Sequence, residues 1–205
     1  MKSKSNELIR CPWSEKTPEA IAYHDNEWGD IRHDDNVHHE YLVMEVMQCG
    51  LSWYLMLKKR PIFKTCFADF DFTKVALFSE KDVKRIMSTN GMIKSEPKIR
   101  AVIANTIVFL KIREEFGSFD KYIWSFSNNQ IIIFKQDKRI TQSEISIALS
   151  KDLKKRGCKY LGPTVLHSHL QSVGIIFAHH PQCWKYKQFF DKKYKNLKSA
   201  TTRLI

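Results

Sequence analysis

Two histidines, two cysteines and one isolated acid are the residues of this chain whose types and spacing could carry chemistry. His24 lies in the stretch Tyr-His-Asp-Asn-Glu-Trp-Gly, with Cys11 upstream, and His179 and Cys183 follow near the other end of the chain. The His-x-x-x-Cys spacing suits one helical face or one tight turn, and two Cys with two His can complete a tetrahedral zinc shell. We therefore predict a zinc site formed by Cys11, His24, His179 and Cys183.

Such a shell has no open position for a water molecule, so the zinc would be structural and would tie the N-terminal segment to the C-terminal one. The spacing leaves alternatives open. His180 is a rival ligand, and the interval from Cys11 to His24 is not a standard zinc-finger pattern. Without a metal, His24 would form hydrogen bonds in the core and Cys183 would be an ordinary buried thiol.

Glu45 is the candidate catalytic residue, because it is the only charged residue between residues 41 and 57. Apolar residues at helical spacing surround it, which predicts that the segment is buried. A lone carboxylate in such a segment costs free energy unless it is paired or used. The alternative is a buried glutamate that only accepts a hydrogen bond from a loop amide. Tyr23, Trp28 and Trp53 lie in the neighbouring motifs and predict an aromatic pocket for a nucleobase around this acid.

The elements that must position these residues are predicted to be helices, since glycine and proline are few, at seven and six residues. We predict a short helix and turn ending at Gly29, helices over about 36–48 and 144–156, and a helix that opens at Pro163 and ends at Gly174. Lys58-Lys59-Arg60-Pro61 is expected to close the helix that carries Trp53. A helix, a hairpin at Gly91 and a second helix follow, and residues 131–134 could form a short strand. The fold class is all-α.

The charge balance favours a polyanionic partner. The chain has 34 Lys and Arg against 22 Asp and Glu, for a net charge of +12, which is typical of nucleic-acid binding. The alternative is an ordinary solvated basic surface. The first ten residues lack the apolar core of a signal peptide, and no apolar run approaches the ~20 residues of a membrane span. Five scattered cysteines do not resemble a disulfide framework, so we expect a reduced, cytoplasmic protein without a membrane partner.

At 205 residues, the chain is long enough for one domain with a substantial core. We predict a single domain over residues 1–184, built as two closely packed helical lobes, and a basic C-terminal tail over residues 185–205. The tail carries seven Lys and Arg against one Asp. It is either a terminal basic helix or an electrostatic arm.

Several of these motifs together resemble the bacterial 3-methyladenine DNA glycosylase I family. The resemblance covers residues 10–184 in uninterrupted order. The motifs that carry it are Cys11-x-Trp13, Ala22-Tyr23-His24-Asp25-Asn26-Glu27-Trp28-Gly29, Glu45-x-x-Gln48-x-Gly50-Leu51-Ser52-Trp53, Trp124-Ser125-Phe126, Leu153-Lys154-Lys155-Arg156-Gly157, Gly162-Pro163-Thr164 and His179-x-x-x-Cys183.

The resemblance implies a helix-hairpin-helix-like glycosylase with a structural zinc, and a monofunctional activity that hydrolytically excises 3-methyladenine, with 3-methylguanine as a further substrate, from alkylated double-stranded DNA. It implies the four zinc ligands named above and a role for Glu45 in hydrogen bonding to the base. Trp13 joins Tyr23, Trp28 and Trp53 in the pocket, and Leu51 is placed to fill the gap left by a flipped nucleotide. We expect a monomer that acts in base excision repair.

Three segments depart from the family pattern. Ala20 stands where an aromatic residue is usual, Phe177-Ala178 replaces Asn-Asp before the zinc histidine, and Glu96 adds an acid to the hairpin. Two other classes of function compete with a glycosylase. A non-enzymatic, zinc-stapled protein could bind nucleic acid with the same basic surface and aromatics. A metallohydrolase is disfavoured, because protein side chains would occupy every zinc position.

Overall fold

Helices make up most of the described chain, which comprises residues 8–134, 140–194 and 202–204 of the computed structural model. In this part of the chain the α-helices are α1 Pro18–Asn26, α2 Asp35–Gln48, α3 Trp53–Cys66, α4 Phe72–Val75, α5 Glu80–Ser88, α6 Glu96–Phe116, α7 Phe119–Ser125, α8 Glu144–Lys155, α9 Pro163–Ser172 and α10 Trp184–Tyr194. A 3₁₀ helix over Pro12–Lys16 precedes α1, and another over Ala68–Phe70 follows α3. The all-α prediction is therefore confirmed as a mostly helical fold.

One small parallel sheet accompanies the helices. It consists of β1 Ile131–Ile133, β2 Ile176–Phe177 and β3 Thr202–Leu204 in the order β2-β1-β3. Ile132 is in register with Ile176 and with Arg203. Parallel strands need a long crossover connection, and α8 and α9 supply it between β1 and β2. The short strand predicted near residue 131 is confirmed as β1. Its pairing with β2 holds the segment just before His179 against the core.

The predicted helix over about 36–48 is confirmed as α2, and its start has a clear local cause. The Asp34 carboxylate accepts a hydrogen bond from the backbone N–H of Asn36 at 2.8 Å, which satisfies one of the free donors at a helix N-terminus. Nine of the fourteen residues of α2 are buried, among them Glu45. The candidate catalytic acid thus lies on the most deeply embedded helix of the site.

The expectation that Pro61 would end its helix is wrong, because α3 continues to Cys66. A proline inside a helix costs roughly 3 kcal/mol. The residues after it include Phe63 and Cys66, which are 0% and 1% exposed. Burial of side chains of this kind stabilises the fold by about 1.5–3 kcal/mol each, so core packing on the far side of Pro61 outweighs the local penalty.

The predicted helix-hairpin-helix is confirmed as α5, a turn at Gly91 and α6. Gly91 has φ +76°, and a Cβ there would come within 2.8 Å of the Ile62 side chain. The Lys59 ammonium donates to the Gly91 carbonyl. Helix α3 therefore supports the hairpin directly, and the turn favours glycine because of its positive φ.

Within the predicted tail, helix α10 extends to Tyr194, as in the helix alternative, and Thr202–Leu204 form strand β3 of the sheet. Phe189 of α10 stacks on Phe177 with 4.1 Å between ring centroids, and Phe190 packs edge-on at 5.7 Å. The departure at Phe177 thus creates an apolar contact with a terminal helix. The remainder of the predicted tail, residues 195–201 and 205, lies outside the described residues. Among the described helices we find none long and apolar enough to cross a membrane.

Candidate metal centre and base pocket

Four side chains from the two ends of the chain meet at one buried point. Cys11 precedes the 3₁₀ helix at Pro12–Lys16, His24 lies on α1, His179 follows β2, and Cys183 precedes α10. Their ligand atoms all lie within 4.8 Å of one another, and all four residues are buried. The structure therefore brings together the four residues predicted as metal ligands.

The distances between these atoms fit a tetrahedral metal shell. The Cys11 Sγ lies 3.6 Å from His179 Nδ1, while the Cys183 Sγ lies 3.4 Å from His24 Nε2 and 3.8 Å from His179 Nδ1. Metal–sulfur and metal–nitrogen bonds of about 2.3 and 2.0–2.1 Å at tetrahedral angles separate S and N ligands by about 3.5 Å. The buried Cys2His2 group is thus able to hold one metal ion.

Asp25, which directly follows His24, orients that ligand. The His24 Nδ1 forms a 2.8 Å hydrogen bond with the Asp25 carboxylate, and Arg10 holds the same carboxylate at 2.8 Å. An Nδ1–H directed at a carboxylate leaves Nε2 free to bind a metal, as at many metal-bound histidines. Sequence reasoning did not assign Asp25 a role, although its position next to a predicted histidine ligand was a usable signal.

His180 does not compete with His179 for the cluster. Its backbone N–H donates to the Cys11 Sγ at 3.3 Å, while its Nδ1 accepts a hydrogen bond from the backbone of Gln182. Burial lowers the pKa of His179 to about 3, so its imidazole is neutral, as metal binding requires. Burial raises the pKa of the Cys11 thiol to about 12, so a metal must displace a proton from this residue.

Gly29 packs against the His179 ring, which gives a test of the cluster. A Cβ at Gly29 would lie 2.5 Å from His179 Nε2, and φ is +77°. We expect Gly29→Ala to lower the free energy of unfolding by about 2 kcal/mol or more, from backbone strain and displacement of the ring. Chemical denaturation measures this loss. Gly50→Ala is the matched control, since φ there is +81° with nothing within 4 Å. Equal losses in both variants would contradict the packing argument.

The predicted pocket aromatics form one cluster beside the metal centre. Trp13 and Trp28 pack edge-on with 5.0 Å between ring centroids. Trp13 and Tyr23 are 6.3 Å apart, and Tyr23 and Trp53 are 5.6 Å apart. Trp28 also packs on His179 at 4.7 Å. The metal centre and the aromatic cluster therefore share a wall, and a shift of His179 would be transmitted to Trp28.

Glu45 lies near Tyr23 of this cluster, since its charge acts on the Tyr23 hydroxyl, and it is 3% exposed. Its Oε2 has no hydrogen-bond partner among the described residues. Burial raises the pKa of its carboxyl group from 4.5 to about 8. Burial also raises the pKa of Tyr23, and the negative charge of Glu45 contributes to that increase. A buried carboxyl without a partner beside aromatic rings is not the loop cap considered as the alternative, and its arrangement suits a cationic ligand.

A clamp of hydrogen bonds and ion pairs around Arg60, which the sequence analysis placed only at a helix end, holds the helices that carry this site. Arg60 on α3 donates to Glu27 at 2.8 Å and to Glu40 at 2.6 Å. The Tyr41 hydroxyl donates to the other Glu27 oxygen at 3.0 Å, and the Tyr41 ring lies 6.0 Å from that of Tyr23. The clamp therefore joins α3, α2 and the end of α1, which bear Trp53, Glu45 and Tyr23.

Leu51 stands on the exposed loop between α2 and α3. It is 41% exposed, and its backbone N–H donates to the carbonyl of Gln48 at 2.6 Å. Lys98, nearly buried on α6, donates to the carbonyls of Met47 at 2.9 Å and Cys49 at 2.6 Å. A cation at the C-terminal end of α2 stabilises that end and fixes the loop. The loop is rigidly anchored on one side and presents an apolar side chain to solvent.

Ala20, the first departure from the family pattern, lies in the first turn of α1. Ala20 is fully buried, and its backbone N–H donates to the Thr17 hydroxyl that caps the helix, at 3.1 Å.

Glu96, the departure in the hairpin, pairs with Arg100 at 2.8 Å, and Arg100 also pairs with Glu80. Two acids therefore occupy the guanidinium group of Arg100, which reduces the positive charge near the hairpin.

The mostly helical fold, with its buried acid and its Cys2His2 group, is that of a DNA N-glycosylase, as the comparisons with known proteins show. The chain belongs to the methyladenine glycosylase family, whose model matches residues 13–186. It is 39% identical over 182 residues to DNA-3-methyladenine glycosylase 1 of Escherichia coli (strain K12), with 87% of this chain and 97% of that protein covered.

Solved structures agree with this assignment. A crystal structure of 3-methyladenine DNA glycosylase I matches with a TM-score of 0.81 and 38% identity, over 86% of this chain and 98% of that one. A variant of 3-methyladenine DNA glycosylase I in complex with 3-methyladenine matches with a TM-score of 0.81 and 32% identity, over 85% and 96% of the two chains.

Proposed function

We propose that this protein is a DNA-3-methyladenine glycosylase, which hydrolyses the N-glycosidic bond of 3-methyladenine in alkylated DNA as the first step of base excision repair. The observation that carries the assignment is the carboxyl group of Glu45, buried without a hydrogen-bond partner among the described residues at the wall of an aromatic cluster. The similarity to glycosylases named for 3-methyladenine supports the same substrate.

The pocket selects a methylated purine by its charge. A purine methylated at N3 is cationic, and a cation gains about 0.5–2 kcal/mol from each favourable contact with an aromatic face. Trp13, Tyr23, Trp28 and Trp53 would supply those faces. A damaged base pair also resists extrusion from the duplex less than a normal pair does. A normal purine gains neither advantage and stays in the stack.

Glu45 is proposed to accept hydrogen bonds from the exocyclic amine of the cationic base. In a pocket from which water is excluded, such a charge-assisted bond is stronger than its counterpart in water. The alkylated base is already a good leaving group, so water attacks the sugar as the bond loosens and an abasic site remains. The motifs that contain Glu45 and the pocket aromatics place no lysine to form a Schiff base, and Lys98 has its ammonium bound to two carbonyls. We therefore propose a monofunctional enzyme.

Double-stranded DNA is the proposed macromolecular partner. The net charge of +12 favours its association with the phosphate backbone. Leu51 is proposed to enter the space left by the flipped nucleotide, because it is exposed on an anchored loop that follows the helix of Glu45. The sequence also predicts a monomer located in the cytoplasm. Size-exclusion chromatography with light scattering would measure the oligomeric state.

We propose that zinc is the metal held by the Cys2His2 group, in a structural role. Two thiolates and two imidazoles are a donor set that zinc prefers. When bound, the metal would join the N- and C-terminal segments and hold His179 against Trp28. The four ligand residues would position the aromatic cluster, and none of them would take part in cleavage of the N-glycosidic bond.

Release of free base tests the proposed activity. Methylated duplex DNA incubated with the purified protein is expected to release 3-methyladenine, detected by chromatography, and to leave abasic sites without strand breaks. Unmethylated DNA is the control. A non-enzymatic binder of nucleic acid, the competing class, would bind the same duplex and release no base.

The pH dependence of excision follows from the raised pKa of Glu45. Burial raises this pKa to about 8, so at neutral pH most molecules hold a proton on Glu45 that must leave before the carboxylate can pair with a cationic base. We expect kcat/KM to rise nearly tenfold per pH unit from about pH 6 to pH 7 and to level off above pH 8. The measurement needs constant ionic strength, because DNA affinity depends on salt. A flat profile from pH 6 to 8 would contradict it.

A further inference from the structure

Tyr160 is an exposed aromatic residue in an unusual backbone conformation. It has φ +61°, in the left-handed region that residues other than glycine and asparagine rarely adopt. Its side chain is 42% exposed, so burial of the ring does not account for the conformation. Such an outlier persists only where surrounding contacts enforce it, and these positions cluster at functional sites.

The backbone around Tyr160 is held on both sides. The Asn105 side chain on α6 donates to the Lys159 carbonyl and accepts from the Lys159 backbone N–H, both at 2.8 Å. The Ser150 hydroxyl on α8 donates to the Leu161 carbonyl at 2.8 Å. Two helices therefore fix the residues before and after Tyr160, so that the ring projects from an ordered turn.

This turn adjoins the loop proposed to enter the DNA. The Cys49 thiol lies 3.6 Å from the Tyr160 carbonyl and 3.5 Å from the Glu45 carbonyl. Leu51, two residues after Cys49, is 41% exposed. Two exposed apolar side chains thus lie on neighbouring loops next to the end of the helix that bears the catalytic acid, and the exposed Lys159 adds a positive charge beside them.

We propose that Tyr160 stacks on the base opposite the lesion once the methylated nucleotide has left the duplex. This inference rests on the proposed glycosylase function. Flipping leaves the opposite base without a partner, and an aromatic ring can stack on any base because every base has a π-face. Leu51 occupies the space on the lesion strand, and Tyr160, on the adjacent loop, covers the orphaned base on the other strand. Such contacts do not depend on sequence, which suits an enzyme that must find a lesion in any context.

The test compares binding of two duplexes to variants of Tyr160. One duplex contains a tetrahydrofuran abasic-site analogue opposite thymine, and the second lacks the opposite base as well. We expect Tyr160→Gly to weaken affinity for the first duplex about tenfold, a typical loss for one base–aromatic stack. The loss on the second duplex is expected to be less than about twofold, because the stacking partner is missing there. Tyr160→Phe retains the ring and is expected to bind both duplexes like the parent.

Two further measurements make the outcome decisive. Tyr160→Gly removes the backbone strain and is expected to raise Tm by about 2–4 °C, so that weaker binding does not reflect unfolding. Leu77→Ala removes another exposed apolar side chain, 83% exposed between α4 and α5, and is expected to bind like the parent. Equal affinities of parent and Tyr160→Gly, or equal losses on both duplexes, would overturn the inference. Release of 3-methyladenine by the parent tests the proposed function separately. The binding comparison can be interpreted independently of the result of that assay.

Discussion

Replacing Glu45 by glutamine is expected to slow the single-turnover release of 3-methyladenine about 100-fold while the fold is retained. Glutamine has the same shape and can still offer one acceptor oxygen, but it has no negative charge for the cationic purine. The loss of one electrostatic contact to a developing or permanent charge in a closed site typically costs 10²–10³ in rate. Quench-flow or rapid-sampling assays with excess enzyme on a duplex with one lesion measure the chemical step directly.

Glu114→Gln is the matched control, because Glu114 is an exposed acid on α6 and its replacement makes the same carboxyl-to-amide change away from the aromatic cluster. We expect this variant to release the base at the parental rate. Unchanged release by Glu45→Gln would remove Glu45 from the mechanism. Equal losses in both variants would instead attribute the effect to the overall charge of the protein on DNA.

The same substitution should change stability in a pH-dependent way. Burial raises the pKa of Glu45 from 4.5 to about 8, so between these values the folded protein holds a proton that the unfolded chain has released. The parent therefore loses stability as pH rises through this window, by about 1.4 kcal/mol per pH unit. Glu45→Gln lacks this loss, and its Tm relative to the parent is expected to increase from pH 5 to pH 8. A gain in stability with a loss of activity identifies a group that is retained for function.

The meeting of Cys11, His24, His179 and Cys183 at one buried point could be predicted because their residue types leave few alternatives. Cys and His are uncommon and few other arrangements use them together, and a lone acid such as Glu45 inside an apolar helix is conspicuous. The choice between His179 and His180 could not be made from spacing. It depends on which imidazole faces Cys11, and this is set by the path of the chain after β2.

The supporting residues could not be predicted, since the sequence offers too many equivalent candidates. The chain has 34 Lys and Arg, and nothing local distinguishes Arg60 or Lys98 from cations on the surface. Arg60 was assigned to a helix end, whereas in the fold it joins three helices. Strand β2 has two residues, too few for a periodic pattern, and it exists because β1 is buried beside it. These features are products of tertiary contact, and local sequence carries little information on them.

Loss of the metal centre is expected to have the largest effect on the fold itself. Cys183 is fully buried, and its Sγ lies near both histidine ligands. We expect Cys183→Ser to lose the bound metal and to lower Tm by about 10 °C or more, because a structural zinc contributes its binding free energy to folding. Elemental analysis of the parent should find about one zinc per chain. Cys158→Ser, at a half-buried free thiol outside the cluster, is expected to keep the metal.

Loss of the metal should also weaken binding of the base in the pocket. This effect distinguishes a metal that supports the pocket from one that does not. His179 packs on Trp28 at 4.7 Å, and Trp28 packs on Trp13 at 5.0 Å, so freeing the histidine loosens two walls of the cluster. Binding of free 3-methyladenine, followed by tryptophan fluorescence, should therefore weaken in Cys183→Ser at a temperature where the variant is still folded, and remain parental in Cys158→Ser. A metal-free parent that folds fully and binds the base normally would show that the Cys2His2 group is a set of neutral core residues. Loss of both the metal and the base affinity in Cys183→Ser would show instead that one buried ion fixes the pocket in which Glu45 acts.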